Sequence, residues 1–161
     1  MSLVFRNQPL QLSVSEQRWL ERHPRVNVAI NVNIPPISFI DSKGRFRGIV
    51  IDVLAKISQR TGLQFDVRGM KSVTDMLTGI KDGQVDVLAG IGLSSQREGT
   101  LRFTRSFLNS PSVLVTRAAP DSPRTLDDMA GKELALTQGN ISGEFIRQHF
   151  PLIRLVDAPL T

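Results

Sequence analysis

The chain has 161 residues, 40% of them hydrophobic and 22% charged, with a formal net charge of +5. This balance excludes a disordered or fibrous chain and leaves enough apolar residues for a sizeable core, while no apolar run approaches the roughly 20 residues of a bilayer-spanning helix. The absence of cysteine excludes a disulfide scaffold and cysteine-based metal sites. The basic residues, among them Arg45, Arg47, Lys56, Arg60, Arg68, Lys71 and Lys81, are dispersed as a solvated surface rather than gathered into a nucleic-acid-binding run.

Met1–Leu3 reads as a leader added in cloning, with the natural chain expected to begin upstream, and no signal-peptide pattern follows it. Ser13 and Glu16 have the spacing of a capping box, so a short helix is expected through Trp19 and Leu20, stopping at His23-Pro24. Trp19 is expected to staple that helix onto the first lobe. Val26 to Val32 alternates apolar with mostly polar residues, a strand pattern that Pro35-Pro36 breaks. Ser38-Phe39-Ile40 is a brief extended piece, and Asp41 to Gly44 reads as a turn.

Ile49, Val50, Val53, Leu54 and Ile57 recur at helical steps after Gly48, and Thr61-Gly62 ends the pattern. Leu63 to Val67 reads as a strand. Val73, Met76, Leu77 and Ile80 mark a second helix, closed by Asp82-Gly83, and Val85 to Ala89 a third strand. The order β-α-β-α-β predicts a parallel sheet with helices on its faces. Leu101 to Phe103 is expected to be a short strand, and Phe107 to Thr116 an extended crossing segment hinged near Ser110-Pro111. A capping box at Thr125 to Asp128, a strand at Glu133 to Thr137, a helix over Ser142 to Phe150 and a strand over Ile153 to Val156 start a second α/β unit. One such unit leaves its sheet uncovered, so the chain reads as a fragment ending one strand into a new repeat at Thr161. An open edge strand makes a homodimer an expectation as well. The expected divisions are 1–24 (leader and first helix), 25–110 (first lobe) and 111–161 (hinge strand and part of the second lobe).

Two segments carry binding chemistry. Gly90 to Arg97 follows the carboxyl end of a parallel strand, where open α/β sheets bind ligands. Gly90 and Gly92 would admit a ligand to backbone amides, Ser94 and Ser95 add hydroxyls, and Arg97 offers a planar fork suited to a carboxylate. The alternative is a plain helix start, with Ser95 capping and Arg97 solvated or paired with Glu98. Thr137 to Ser142 repeats the strand–glycine–helix layout, with free helix amides for an anion or polar group. Its alternative is a routine turn capped by Asn140 or Ser142. No cofactor is expected. No metal is expected either, because His23 and His149 are the only histidines and lie far apart. Asp52, Asp75 and Asp86 form no acid/base pair, and no nucleophilic triad stands out.

These motifs, in this order, resemble the family 3 extracellular solute-binding domains. Gly48 to Leu54 resembles the family's Gly-Phe-Asp-x-Asp-Leu helix start, Leu77 to Asp86 its Leu-x-x-Gly-x-x-Asp segment, Ser94 to Arg97 its Thr-Pro-Glu-Arg, and Phe103 to Phe107 its Phe-Ser-x-Pro-Tyr hinge entry. Leu12 to Pro24 resembles the leader of periplasmic sensing domains in hybrid sensor histidine kinases of the BvgS/EvgS type. The resemblance implies an α/β, periplasmic-binding-protein-like type II (Venus-flytrap) fold of two lobes with parallel-rich sheets, the second lobe incomplete. It also implies a small carboxylate or amino-acid ligand, a membrane-anchored parent, no nucleic-acid partner and no catalysis by this segment. Carried over, Arg97 would grip a ligand carboxylate, helped by the Ser94 hydroxyl and the Gly92 backbone, with Asn140, Ile141 and Ser142 closing from the second lobe. Ile34 and Ile37 stand where the family often has aromatics, leaving Phe39 as the aromatic platform, and Gly90 and Gly92 replace residues that often carry hydroxyls. A transport solute-binding protein, a dehydratase or the regulatory part of a lytic transglycosylase, and a LysR-type effector domain share the same fold.

Overall fold

The computed structural model describes residues 10–137 and 139–158. The reading of Met1–Leu3, and Gln138 and Thr161, lie outside them. By its contacts the chain divides into two units between Ile91 and Gly92.

The first described element is α1 (Val14–Arg22). Its capping box forms as the sequence predicts: the Ser13 hydroxyl accepts the Glu16 amide at 3.3 Å, and the Ser13 amide donates to Glu16 Oε2 at 2.7 Å. These bonds satisfy amides that a helix start leaves open. Trp19 does not staple the helix to a core. It is 44% exposed, it stacks on His23 one turn later with centroids 4.7 Å apart, and α1 buries no residue.

Unit 1 is then built from β1 (Arg25–Asn31), β2 (Asn33–Ile34), β3 (Ser38–Ile40), β4 (Phe46–Arg47), α2 (Ile49–Thr61), β5 (Gln64–Met70), α3 (Val73–Lys81) and β6 (Val87–Ala89). The order β5-β1-β6 is parallel throughout, with Val28 opposite Val67 on one side and Val87 on the other. β1 is the central strand, and alternation sorts its side chains to two faces. Val26, Val28 and Ile30 pack against Val50 and Leu54 of α2. Ala29 packs on the opposite face with Met76 of α3 and Val85. A strand covered by a helix on each face is buried on both, which is why β1 reads almost continuously buried, even at the polar Asn31. Side chains such as Ile30 and Val50, fully buried here, each contribute about 1.5–3 kcal/mol.

Gly48 fixes the start of α2. Its φ is +113°, and a Cβ there would lie 2.5 Å from the Ile37 carbonyl oxygen, so no other residue fits. The brief piece at Ser38–Ile40 belongs to a small antiparallel sheet, β2-β3-β4, that the sequence does not reveal. Its strands have only two or three residues, too few for a periodic signal. The turn within it is the expected one: Asp41 accepts the amides of Lys43 and Arg45 at 2.9 and 3.0 Å, and Nε of Arg45 and Arg47 at 2.9 and 3.1 Å. Led by the Arg45 amide, these donors hold its carboxyl well below the ordinary range.

Unit 2 begins with the short helix α4 (Ser95–Glu98). The strand expected at Leu101–Phe103 does not form, and Phe107–Thr116 joins no ladder among the described residues. Within that stretch only Leu114 packs against unit 2's core, while Val113 and Val115 are 79% and 83% exposed. The box at Thr125 and Asp128 does form: Asp128 Oδ2 accepts the Thr125 amide at 3.0 Å, and the Thr125 hydroxyl accepts the Asp128 amide at 3.4 Å. β7 (Glu133–Leu136), α5 (Ile141–His149) and β8 (Arg154–Asp157) then form one βαβ unit, with β7 and β8 parallel. Met129, Ile146 and Ile153 make its core.

Candidate functional site

In unit 1 the chain leaves β1 for a neighbour on one side and returns through β6 on the other. The carboxyl ends of β1 and β6 therefore flank a topological switch point, where open α/β sheets take ligands. Gly90 follows β6, and Phe39 lies half-buried on β3, opposite Asn33 and Arg47. Gly90 is needed for packing: its φ is +77°, and a Cβ would lie 2.8 Å from Val50 Cγ2.

In unit 2 the segments from Gly92 to Arg97 and from Gly139 to Glu144 come together. Ser94, not Ser95, caps α4, its hydroxyl accepting the Arg97 amide at 3.3 Å. Arg97 is neither solvated nor paired with Glu98. It is 6% exposed, and its guanidinium turns inward. Nη1 donates to the Gly92 carbonyl at 3.1 Å, and Nη2 donates to the Gly139 carbonyl at 2.9 Å and to Glu144 Oε1 at 3.3 Å. Nε is buried with no hydrogen-bond partner among the described residues. These bonds give the Gly92–Arg97 segment its place in unit 2.

Asn140 caps α5, its Oδ1 accepting the Ser142 amide at 2.8 Å, as the plain-turn alternative anticipates. Ser142 Oγ lies 3.0 Å from Ser112 Oγ. Ile141 fills the space beside Gly92, where an added Cβ would lie 3.0 Å from Ile141 Cδ1. Six predicted residues of unit 2, Gly92, Ser94, Arg97, Asn140, Ile141 and Ser142, thus sit in one neighbourhood. A cavity of about 980 Å³ opens beside them, lined by Ser94, Ser112, Asn140, Ser142, Glu144 and Phe145 among others.

Sequence reasoning missed Glu144, the carboxylate that meets Arg97. Its signal is weak: an acid in the first turn of a helix, where the dipole favours negative charge. The Arg97 guanidinium is buried, and Glu144 is the one carboxylate against it among the described residues. No cluster of three or more metal-ligating side chains exists among the described residues. The Nδ1 atoms of His23 and His149 lie 3.0 Å from the carbonyls of Trp19 and Phe145 on their own helices. No helix of the described residues is long and apolar enough to cross a membrane.

Residues 26–154 match the family model of the bacterial extracellular solute-binding proteins, family 3. The chain is 30% identical over 146 residues to virulence sensor protein BvgS of Bordetella pertussis, covering 91% of this chain and 12% of BvgS. It is 35% identical over 125 residues to sensor protein EvgS of Escherichia coli K12, covering 78% of this chain and 10% of EvgS. The crystal structure of the B. pertussis BvgS periplasmic domain superposes with a TM-score of 0.83 at 30% identity, over 94% of this chain and 29% of that one. The chain therefore spans about an eighth of BvgS or less, and its α/β, parallel-sheet fold is that of the periplasmic-binding-protein-like Venus-flytrap domains. With the match running from the start of β1 into β8, the chain belongs to the bacterial extracellular solute-binding proteins, family 3.

Proposed function

We propose that this chain is the periplasmic ligand-sensing part of a membrane-anchored sensor histidine kinase, binding a small carboxylate or amino-acid-like solute and passing the bound state to a transmembrane segment. The segment itself performs no catalysis in this reading. The observation that carries it is Arg97: a guanidinium 6% exposed, its Nε buried and unpaired among the described residues, whose carboxylate partner Glu144 and cap Ser94 line a cavity of about 980 Å³. A buried cation with unused donors favours an anionic partner. Membership of a solute-binding family, and relatives that are sensor proteins, support the rest.

Arg97 takes the carboxylate, with Ser94, Asn140 and Ser142 as polar contacts and Gly92 and Ile141 shaping the wall. A ligand signals only by its difference in affinity between two states, and a coupling of about 1–3 kcal/mol is typical. Calorimetric titration with amino acids and small carboxylates tests this, beside an Arg97→Lys variant that keeps the charge and loses the fork. A saturable heat, lost in the variant, is expected. Absence of binding by any compound would remove the reading.

A further inference from the structure

Arg97 brings five N–H donors. Two go to carbonyls, of Gly92 and Gly139, and one to Glu144. The Glu144 contact uses one carboxylate oxygen at 3.3 Å, longer than the roughly 2.7–2.9 Å of a good charge-assisted bond. Nε meanwhile has no partner among the described residues. The guanidinium is thus neutralised but poorly satisfied, and a carboxylate able to approach it bidentately makes better bonds than Glu144 does.

Glu144 is also free to leave. Its side chain is 26% exposed against 6% for Arg97, it stands on the first turn of α5 and it lines the cavity. Rotation toward the cavity returns its charge to water near a helix N-terminus that favours an anion. Arg97 cannot do the reverse, because turning outward abandons two carbonyls.

We propose that Glu144 is a resident carboxylate that occupies Arg97 while the site is empty and yields it to the carboxylate of a ligand. The proposal rests on the reading of Arg97 as the ligand's anchor. It makes Glu144 a determinant of affinity: the incoming group must out-compete a carboxylate already tethered in place, so weak monodentate anions are rejected.

Chemical rescue tests this without knowledge of the natural ligand. The chain is compared with Glu144→Ala and Glu144→Gln by thermal unfolding in sodium acetate or formate, with sodium chloride as the ionic-strength control. Either anion should raise the melting midpoint of the variants saturably, by about 3 °C at roughly ten times its Kd, and the unsubstituted chain by less than half as much. The double variant Arg97→Met/Glu144→Gln should not respond. Glu144→Gln keeps an acceptor for Nη2 and carries the comparison when Glu144→Ala does not fold. Variants that respond no more than the unsubstituted chain, or a double variant that responds equally, overturn the proposal. Acetate rescue without amino-acid binding by the unsubstituted chain removes the sensing function and leaves the resident carboxylate standing. Amino-acid binding lost in Arg97→Lys, without acetate rescue, does the opposite.

Discussion

Arg97 Nη2 lies 3.3 Å from Glu144 Oε1 across 47 positions of sequence, and this ion pair joins α4 to the first turn of α5. The partners are unequal, since Arg97 is buried and Glu144 keeps access to water. Removing Glu144 therefore strands a buried charge. Glu144→Ala should cost about 3 kcal/mol in urea unfolding, near the low end for breaking a buried pair because two carbonyls still hold the guanidinium. Combined with Arg97→Met, the losses should fall short of their sum by about 1 kcal/mol. Strict additivity would show that the contact contributes nothing.

Ile30 of β1 is fully buried among Val28, Val50 and their neighbours. Ile30→Ala should cost about 2–5 kcal/mol by equilibrium unfolding. Val87, 39% exposed on β6, should cost under about 1.5 kcal/mol on truncation to Ala. Equal losses would mean that β1 is not the central strand of the core.

Gly48→Ala should destabilise unit 1 by roughly 2 kcal/mol or more, because the substitution combines a positive φ with backbone overlap. The added Cβ would meet the carbonyl oxygens of Ile37 and Pro36 at 2.5 and 2.7 Å. Gly44, also at positive φ but with nothing within 4 Å, should lose only about 1 kcal/mol as Ala. Thermal melts of the pair separate steric clash from backbone conformation.

The Asp41 carboxyl is held low by the amides of Arg45 and Lys43 and the guanidinium groups of Arg47 and Arg45. A depressed folded-state pKa contributes stability that is fully present above the unfolded value of about 3.9 and is lost as pH falls through the folded value. Asp41→Asn should therefore flatten the acid limb of stability below about pH 4 and leave it parallel to the unsubstituted chain above about pH 5. NMR titration should find Asp41 still ionised at about pH 3; a midpoint near 4 would contradict the hydrogen-bonding account.

Much of the fold is legible because its elements repeat their signal. Val50, Leu54 and Ile57 mark α2, the run from Val26 to Val32 marks β1, and Ser13 with Glu16 marks the start of α1. The misses share a cause, which is that the decisive partner is remote or the element too short. Nothing near Leu101 or Val113 says that no strand lies beside them, and Trp19 has the composition of a staple yet finds His23 on its own helix. At the site, Arg97 and Asn140 stand out by type and place. The glycines carry a double meaning: local sequence allows a ligand's approach at Gly90 and Gly92, whereas Val50 and Ile141 take up that space. Glu144 has no local motif and is visible only once α5 is folded against Arg97.

In the proposed function Arg97 anchors a carboxylate-bearing ligand. Calorimetric titration of the chain with amino acids and small carboxylates, run beside Arg97→Lys and with folding of both checked by circular dichroism, tests it most directly. A saturable one-site isotherm is expected for at least one of these compounds, weakened at least tenfold in the variant, or by about 1.4 kcal/mol. Binding of equal strength in both proteins, or none in either, would contradict it.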